Sequence, residues 1–319
     1  MDHREEYLDT ACGILLIHMM AFHCWLWAGL PHDALWLNAF GFFMPWFFFK
    51  GGMFYRSRPI WNVVKTGWRR LMIPYIVFTL IGSVVLWVHM ILEGKFNGLH
   101  TVLSSFRSIA ISGAAPGNLV LWFLFSLFVV RILFAVIQTR RSRNALWLII
   151  ALPILFHLFN GKVGVTFPLY FSNILSGLAF YALGFLLKDF KPSVLLFTGF
   201  FLVYISSVYF FPQTADMRTD TVRSGCYIGW ITMSLVGIIV IDYLCRTFLN
   251  FKNPFSWVGK NSMPFYCWHW IVMEAITYFP AVADLSPQSY FILQLIIMAI
   301  ALPALYFLQL RFEKLLHKT

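Results

Sequence analysis

The chain has 319 residues, of which 60% are hydrophobic, 19% aromatic and only 12% charged, with a mean hydropathy of +0.74. No soluble domain of this length hides that much apolar surface from water, so the composition excludes a soluble enzyme or binding module and requires a polytopic membrane protein. The net charge of +11 does not argue for nucleic acid, which needs a solvated basic face; here Lys and Arg sit in short loops between apolar runs, where they report topology.

Ten apolar runs are predicted to be membrane helices, at about 8–30, 36–55, 71–92, 119–138, 145–160, 166–187, 193–211, 226–245, 263–281 and 289–310. The fifth is short and carries His157, so nine spans or a re-entrant segment is the alternative. The fold expected is therefore all-α, about ten transmembrane helices in one bundle, with residues 1–319 forming one unit because no repeat or linker interrupts them. An even count puts both termini on one side. That side carries Arg4, the loop from Lys50 to Arg70, Arg140, Arg141 and Arg143, Lys188 and Lys191, Arg246 to Lys260, and Arg311, Lys314 and Lys318. The other side has Lys95, Arg107, Lys162, Arg218 and Arg223. By the positive-inside rule both termini are cytoplasmic.

The first run, Leu8 to Leu30, is too long for a signal-peptide core and reads as a retained helix. An ionisable side chain in such a helix is costly and faces the bundle interior, which makes His23 a functional candidate. Cys12 is about three turns and some 16 Å before it on the same face, Asp9 lies within about 40° of that face, and His18 points roughly 140° away. Asp9, Cys12 and His23 are thus expected to line an internal cavity, or His23 simply makes an interhelical hydrogen bond. Lys65, Arg69 and Arg70 precede Leu71-Met72-Ile73-Pro74-Tyr75, either to clamp phosphates or to anchor the helix at the interface. Arg131 lies inside the fourth run, placed to snorkel. In Gly259-Lys260-Asn261-Ser262 a polar turn feeds the ninth helix, with Ser262 expected to cap it and His269 as a second buried base or an interfacial histidine. Asp242 and Arg246 are expected to pair, Glu274 lies about 140° round its helix from His269, and His89 and His157 read as structural. The five cysteines form no Cys-x-x-Cys pair, and neither a disulfide framework nor a metal site is expected.

Taken in order, these segments resemble the membrane acyltransferase family 3, the O-acyltransferases that acylate sugars of cell-envelope glycans and related lipid-linked precursors. The resemblance is carried by Leu8-Asp9 with His23, by Phe47-Phe48-Phe49-Lys50-Gly51-Gly52, and by Arg70 with the Leu-x-Ile-Pro-Tyr that follows. It continues through Leu121-Trp122-Phe123-Leu124, Tyr181-Ala182-Leu183-Gly184, and Gly259-Lys260-Asn261-Ser262 with Tyr266 and His269. Two positions depart from it: Cys12 stands where the family usually has a basic residue ahead of the first-helix histidine, and Gly67 where it has the first of two paired arginines.

The resemblance implies acetyl-CoA as acyl donor, with its phosphates meeting Arg69 and Arg70, and a carbohydrate or lipid-linked sugar as acceptor. It implies His23 as general base and His269 orienting or stabilising the oxyanion, in a bacterial-type cytoplasmic membrane. Counted from the cytoplasmic helix ends, His23 lies about 14 Å higher than His269. The two are then expected to act at different depths, unless a tilted or broken helix closes the gap. Two alternatives stand beside the enzyme: a transporter or flippase of a lipid-linked glycan, with the histidines and Arg131 as a polar pathway, or a family member that has lost catalysis.

Overall fold

The computed structural model describes the backbone of all residues except 1–4, 32–33, 140–142, 164–167 and 317–319. The helices, in order, are α1 (Glu6–Trp27), α2 (Leu35–Asn38), α3 (Phe43–Met53), α4 (Ile60–Gly67), α5 (Ile73–Leu92), α6 (Gly98–Ser112), α7 (Trp122–Gln138), α8 (Arg143–Val163), α9 (Leu169–Leu187), α10 (Val194–Phe210), α11 (Tyr227–Phe248), α12 (Pro254–Lys260), α13 (Ser262–Thr277) and α14 (Pro287–Leu316). A π-turn, Trp68–Met72, joins α4 to α5, and a 3₁₀ turn, Pro116–Leu121, leads into α7. Helix is what such a sequence must adopt in lipid, because each backbone N–H and C=O then finds its partner within its own segment.

Among the described residues each predicted run contains helix, and six helical stretches are long and apolar enough to cross a membrane. The second run is not one unbroken span. It divides into α2 and α3, and the 11 residues of α3 rise only about 17 Å against a hydrocarbon core of roughly 30 Å. Arg4, Arg140, Arg141 and Lys318, which entered the topology argument, lie outside the described residues.

The core forms around α1, which packs against α3, α11, α12, α13 and α14. Leu15 and Leu16 on α1 are fully buried, whereas Ile76, Leu80, Val84 and Val88 on α5 face outward as an apolar stripe suited to acyl chains. Helix contact without a hydrophobic driving force needs close backbone approach, and the sequence supplies it with small residues. A Cβ at Gly13 would run into the Phe255 carbonyl and one at Gly259 into the Asp9 carbonyl, so α1 and α12 lie backbone against backbone. The same holds for α3 and α9, through Gly52 against Tyr181 and Gly184 against Phe49.

A hydrogen-bonded seam fixes the depth of α12 along α1. Asn253 caps α12, its Oδ1 accepting from the Ser256 N–H at 2.9 Å, while its Nδ2 donates to Thr10 Oγ1 on α1 at 3.0 Å. Asn250 Oδ1 accepts from the Tyr7 N–H at 3.2 Å. Arg246 donates to Asp242 at 2.7 Å, the expected pair, and also to the Tyr7 hydroxyl at 3.1 Å. Between α10 and α11 the predicted loop is a two-stranded hairpin, β1 (Thr214–Asp216) and β2 (Thr221–Ser224), antiparallel, with Met217 of its turn buried.

Candidate active site

The seam has a direct consequence for the two histidines. Because Gly259 sits at the level of Asp9 to Gly13, α13 begins well along α1 rather than at its foot. Ten residues of rise from Gly259 to His269 and about twelve from the middle of that Asp9 to Gly13 stretch to His23 bring both rings to nearly one height. His23 Nδ1 lies 3.1 Å from His269 Nε2, which corrects the expectation of separate depths. A count from the last cation cannot see that α12 is already sunk into the bundle.

The ring planes differ by 4° with centroids 5.3 Å apart. With a nitrogen contact of 3.1 Å, that separation belongs to rings lying end to end in a common plane, so the contact is a hydrogen bond rather than a stack. Its polarity follows from the next partner. His269 Nδ1 lies 2.7 Å from the Tyr266 carbonyl oxygen, which can only accept, so Nδ1 carries the hydrogen and Nε2 of the neutral ring offers a lone pair. His23 therefore donates from Nδ1, and its own Nε2 is left as the free base. His269 is completely buried, and with both nitrogens engaged it has no donor for an oxyanion. Its two bonds suit it to orienting His23.

His23 lines a cavity of about 560 Å³, together with Trp122, Tyr266 and Trp270, and the hairpin closes one wall with Arg218 and Arg223. The volume is that of a small-ligand site. Trp270 meets the His23 ring edge-on at 5.6 Å. Tyr266 donates its hydroxyl hydrogen to the Val120 carbonyl, and the fully buried Asn118 donates from Nδ2 to the Cys267 carbonyl at 3.0 Å. These bonds fasten α13 to the 3₁₀ turn and hold the imidazole pair in place.

The remaining candidates fall elsewhere. Asp9 and Cys12 are buried below the cavity rather than lining it, because α12 fills that face of α1. Asp9 Oδ1 is 3.5 Å from Lys50 Nζ, which also donates to the Leu8 carbonyl at 3.3 Å, so Lys50 supplies a cation one turn from Cys12. Ser262 does not cap α13; Asn261 holds that position with no capping bond. Instead Asn261 donates to the Trp257 carbonyl and accepts from the Tyr306 hydroxyl, both at 2.8 Å, at the α12–α13 joint. Lys65, Arg69 and Arg70 are exposed, the two arginines on the π-turn, a device frequent at functional sites. Gly67 is a packing position, where a Cβ would press on the Phe128 ring.

Arg131 lies within electrostatic reach of Tyr181, Arg58 and Arg70. It is not brought to the histidines; the cations close enough to act on His23 are Arg218 and Arg223. His18 is packed edge-on against Trp36 and Phe40. His89 stacks on Tyr278 and lies 3.3 Å from Glu93, and Glu274 accepts from the Tyr278 hydroxyl at 2.9 Å. His157 stacks on Tyr227, 4.0 Å from Asp220.

Sequence reasoning missed Asn118, the Lys50 pairing with Asp9, and the nearness of Arg58 to Arg131. It also missed the hairpin arginines, for which a signal existed: two cations close together on the side that topology keeps poor in them.

A helical membrane bundle with a hydrogen-bonded imidazole pair at the edge of a ligand-sized cavity has the parts that proton transfer from a bound hydroxyl requires. A family model described as an acyltransferase domain matches residues 5–310. The chain belongs to that family, acyltransferase family 3, and is an integral membrane protein of it. Neither a curated protein nor a solved structure matches the chain.

Proposed function

We propose that this protein transfers an acetyl group from cytoplasmic acetyl-CoA to a sugar hydroxyl of a cell-envelope glycan or lipid-linked precursor, in a bacterial-type inner membrane with both termini cytoplasmic. The observation that carries the reading is the Tyr266 carbonyl–His269–His23 chain, which leaves a lone pair on the histidine that lines the cavity. The acceptor hydroxyl gives its proton to His23 Nε2 as its oxygen bonds to the thioester carbonyl carbon. The tetrahedral intermediate then expels the CoA sulfur, which takes the proton back from the His23 imidazolium. His269 accepts the His23 Nδ1 hydrogen throughout and stabilises the imidazolium, as the third member of a triad does.

The donor reading rests on charge. Arg58 and Arg70 lie within electrostatic reach of Arg131, and like charges placed so favour a polyanion, which the CoA phosphates provide. Lys65 and Arg69 extend that basic face.

The test is transfer of label from radiolabelled acetyl-CoA to endogenous glycan or glycolipid, in membranes carrying wild type, His23→Ala or Arg70→Ala at matched levels. Label that appears with wild type and vanishes with His23→Ala supports the reading, and Arg70→Ala should raise the KM for acetyl-CoA. Wild-type membranes that transfer nothing above empty membranes, with several acceptor extracts, would refute it.

A further inference from the structure

We propose that the acceptor is an anionic saccharide, and that Arg218 of the hairpin, with Arg223 beside it, holds the negative group while a neighbouring hydroxyl meets His23. This rests on the acyl-transfer reading above and names the class of its acceptor.

Three observations lead to it. Arg218 and Arg223 line the same cavity as His23. Their charges are incompletely balanced: Asp216 Oδ2 accepts from Arg223 at 3.1 Å, and Asp216 Oδ1 accepts from the Arg218 backbone N–H at 2.9 Å. One carboxylate thus serves two arginines, and it touches only the main chain of Arg218, whose guanidinium is left without a carboxylate among the described residues. Arg223 is fixed further by lying 5.6 Å over the Phe22 ring, next to His23 in the chain.

Two cations on the lining of the cavity that His23 enters oppose, by like-charge repulsion, the positive charge that the reaction places on that ring. A substrate that brings its own negative charge to Arg218 removes the opposition in the step that needs it. A neutral sugar would leave it in place.

On the proposed orientation the hairpin lies on the non-cytoplasmic side, where Lys and Arg are disfavoured. Two arginines on one short hairpin then call for a ligand. Trp122 and Trp270, which line the same cavity, offer the apolar faces on which a sugar ring packs. The negative group is a carboxylate, as in a uronic acid, or a phosphate, and the guanidinium fork suits both.

The full chain, purified in detergent, would be titrated with a glucuronate-containing disaccharide, with glucose 1-phosphate and with neutral maltose, read by tryptophan fluorescence. At least one anionic probe should bind about tenfold more tightly than maltose, the worth of one charge-assisted hydrogen bond, and which one does identifies the anion. Arg218→Gln should abolish the preference while leaving maltose binding intact, and Arg218→Lys should keep part of it. Should Arg218→Gln fail to fold, the drop in preference in Arg218→Lys, which keeps the charge and loses the fork, carries the same test. Equal binding of charged and neutral probes, or an undiminished preference in folded Arg218→Gln, overturns the proposal. Selective binding of an anionic probe by wild type whose membranes transfer no label would refute acyl transfer and keep the anion site. Label transfer indifferent to acceptor charge and to Arg218 would do the reverse.

Discussion

Replacing His269 tests whether the imidazole pair acts as a unit. In His269→Leu the His23 Nδ1–H loses its acceptor and nothing holds the ring in the tautomer that leaves Nε2 free. If His269 only orients a neutral ring, one hydrogen bond worth about 1 kcal/mol is lost and the rate falls about fivefold. If it also supports the imidazolium that forms during the reaction, the bond is charge-assisted, worth about 1.5–3 kcal/mol, and the fall is about 10- to 150-fold. His23→Ala removes the base itself and should cost about 10²- to 10⁴-fold. The expected order of damage is therefore His23→Ala, then His269→Leu, then His269→Gln, whose amide oxygen can accept in place of Nε2. The assay is steady-state acyl transfer with both substrates varied: the losses should fall on kcat with KM little changed, and His23→Ala/His269→Leu should be no worse than His23→Ala alone. A folded His269→Leu enzyme with wild-type kcat, or losses that simply multiply in the double variant, would refute the reasoning.

Three further outcomes are expected. Gly259→Val should lower the thermal midpoint in detergent, by a strain of about 1–3 kcal/mol, and should depress kcat further, because the Gly259 contact with Asp9 sets the height of His269; a fully active, stable variant would show that the seam does not set the register. Lys50→Met should destabilise by removing the cation from the buried Asp9 carboxylate, and Asp9→Asn added to it should recover part of the loss, a coupling of about 1–3 kcal/mol in a double-mutant cycle on thermal stability. Asp220, in the hairpin turn with a left-handed φ of 53°, has its carboxyl raised above its ordinary value of 3.8 by burial. The folded state therefore binds its proton more tightly than the unfolded chain, and stability falls as pH climbs above 3.8. Asp220→Asn, which tolerates that φ, should show a thermal midpoint that gains on wild type across this range; parallel curves would argue against it.

Individual residues show how far local pattern reached. His23 was legible because an ionisable group in an apolar helix has few reasons to be there, and the Asp242–Arg246 pair because four residues make one helical turn. The meeting of His23 with His269 was not legible. It depends on Asn253 bonding Thr10 and on Gly13 crossing Gly259, contacts between segments more than two hundred residues apart that leave no periodic trace. Ser262 had the composition of a cap, yet its place one residue inside α13 decided otherwise. The stripe of Asp9, Cys12 and His23 was correct as a helix face, but a face does not tell what covers it, and here α12 does.

The sequence by itself determined that this chain lives in a membrane, where its long apolar helices run and which family it belongs to, since hydropathy, helical rise and short motifs are all properties of neighbouring residues. Only the tertiary structure decided which histidine keeps an unengaged nitrogen, what encloses the cavity and which arginines line it. Those depend on the depth to which one helix sinks beside another, which is set by backbone contacts at glycine and by side-chain hydrogen bonds between distant segments.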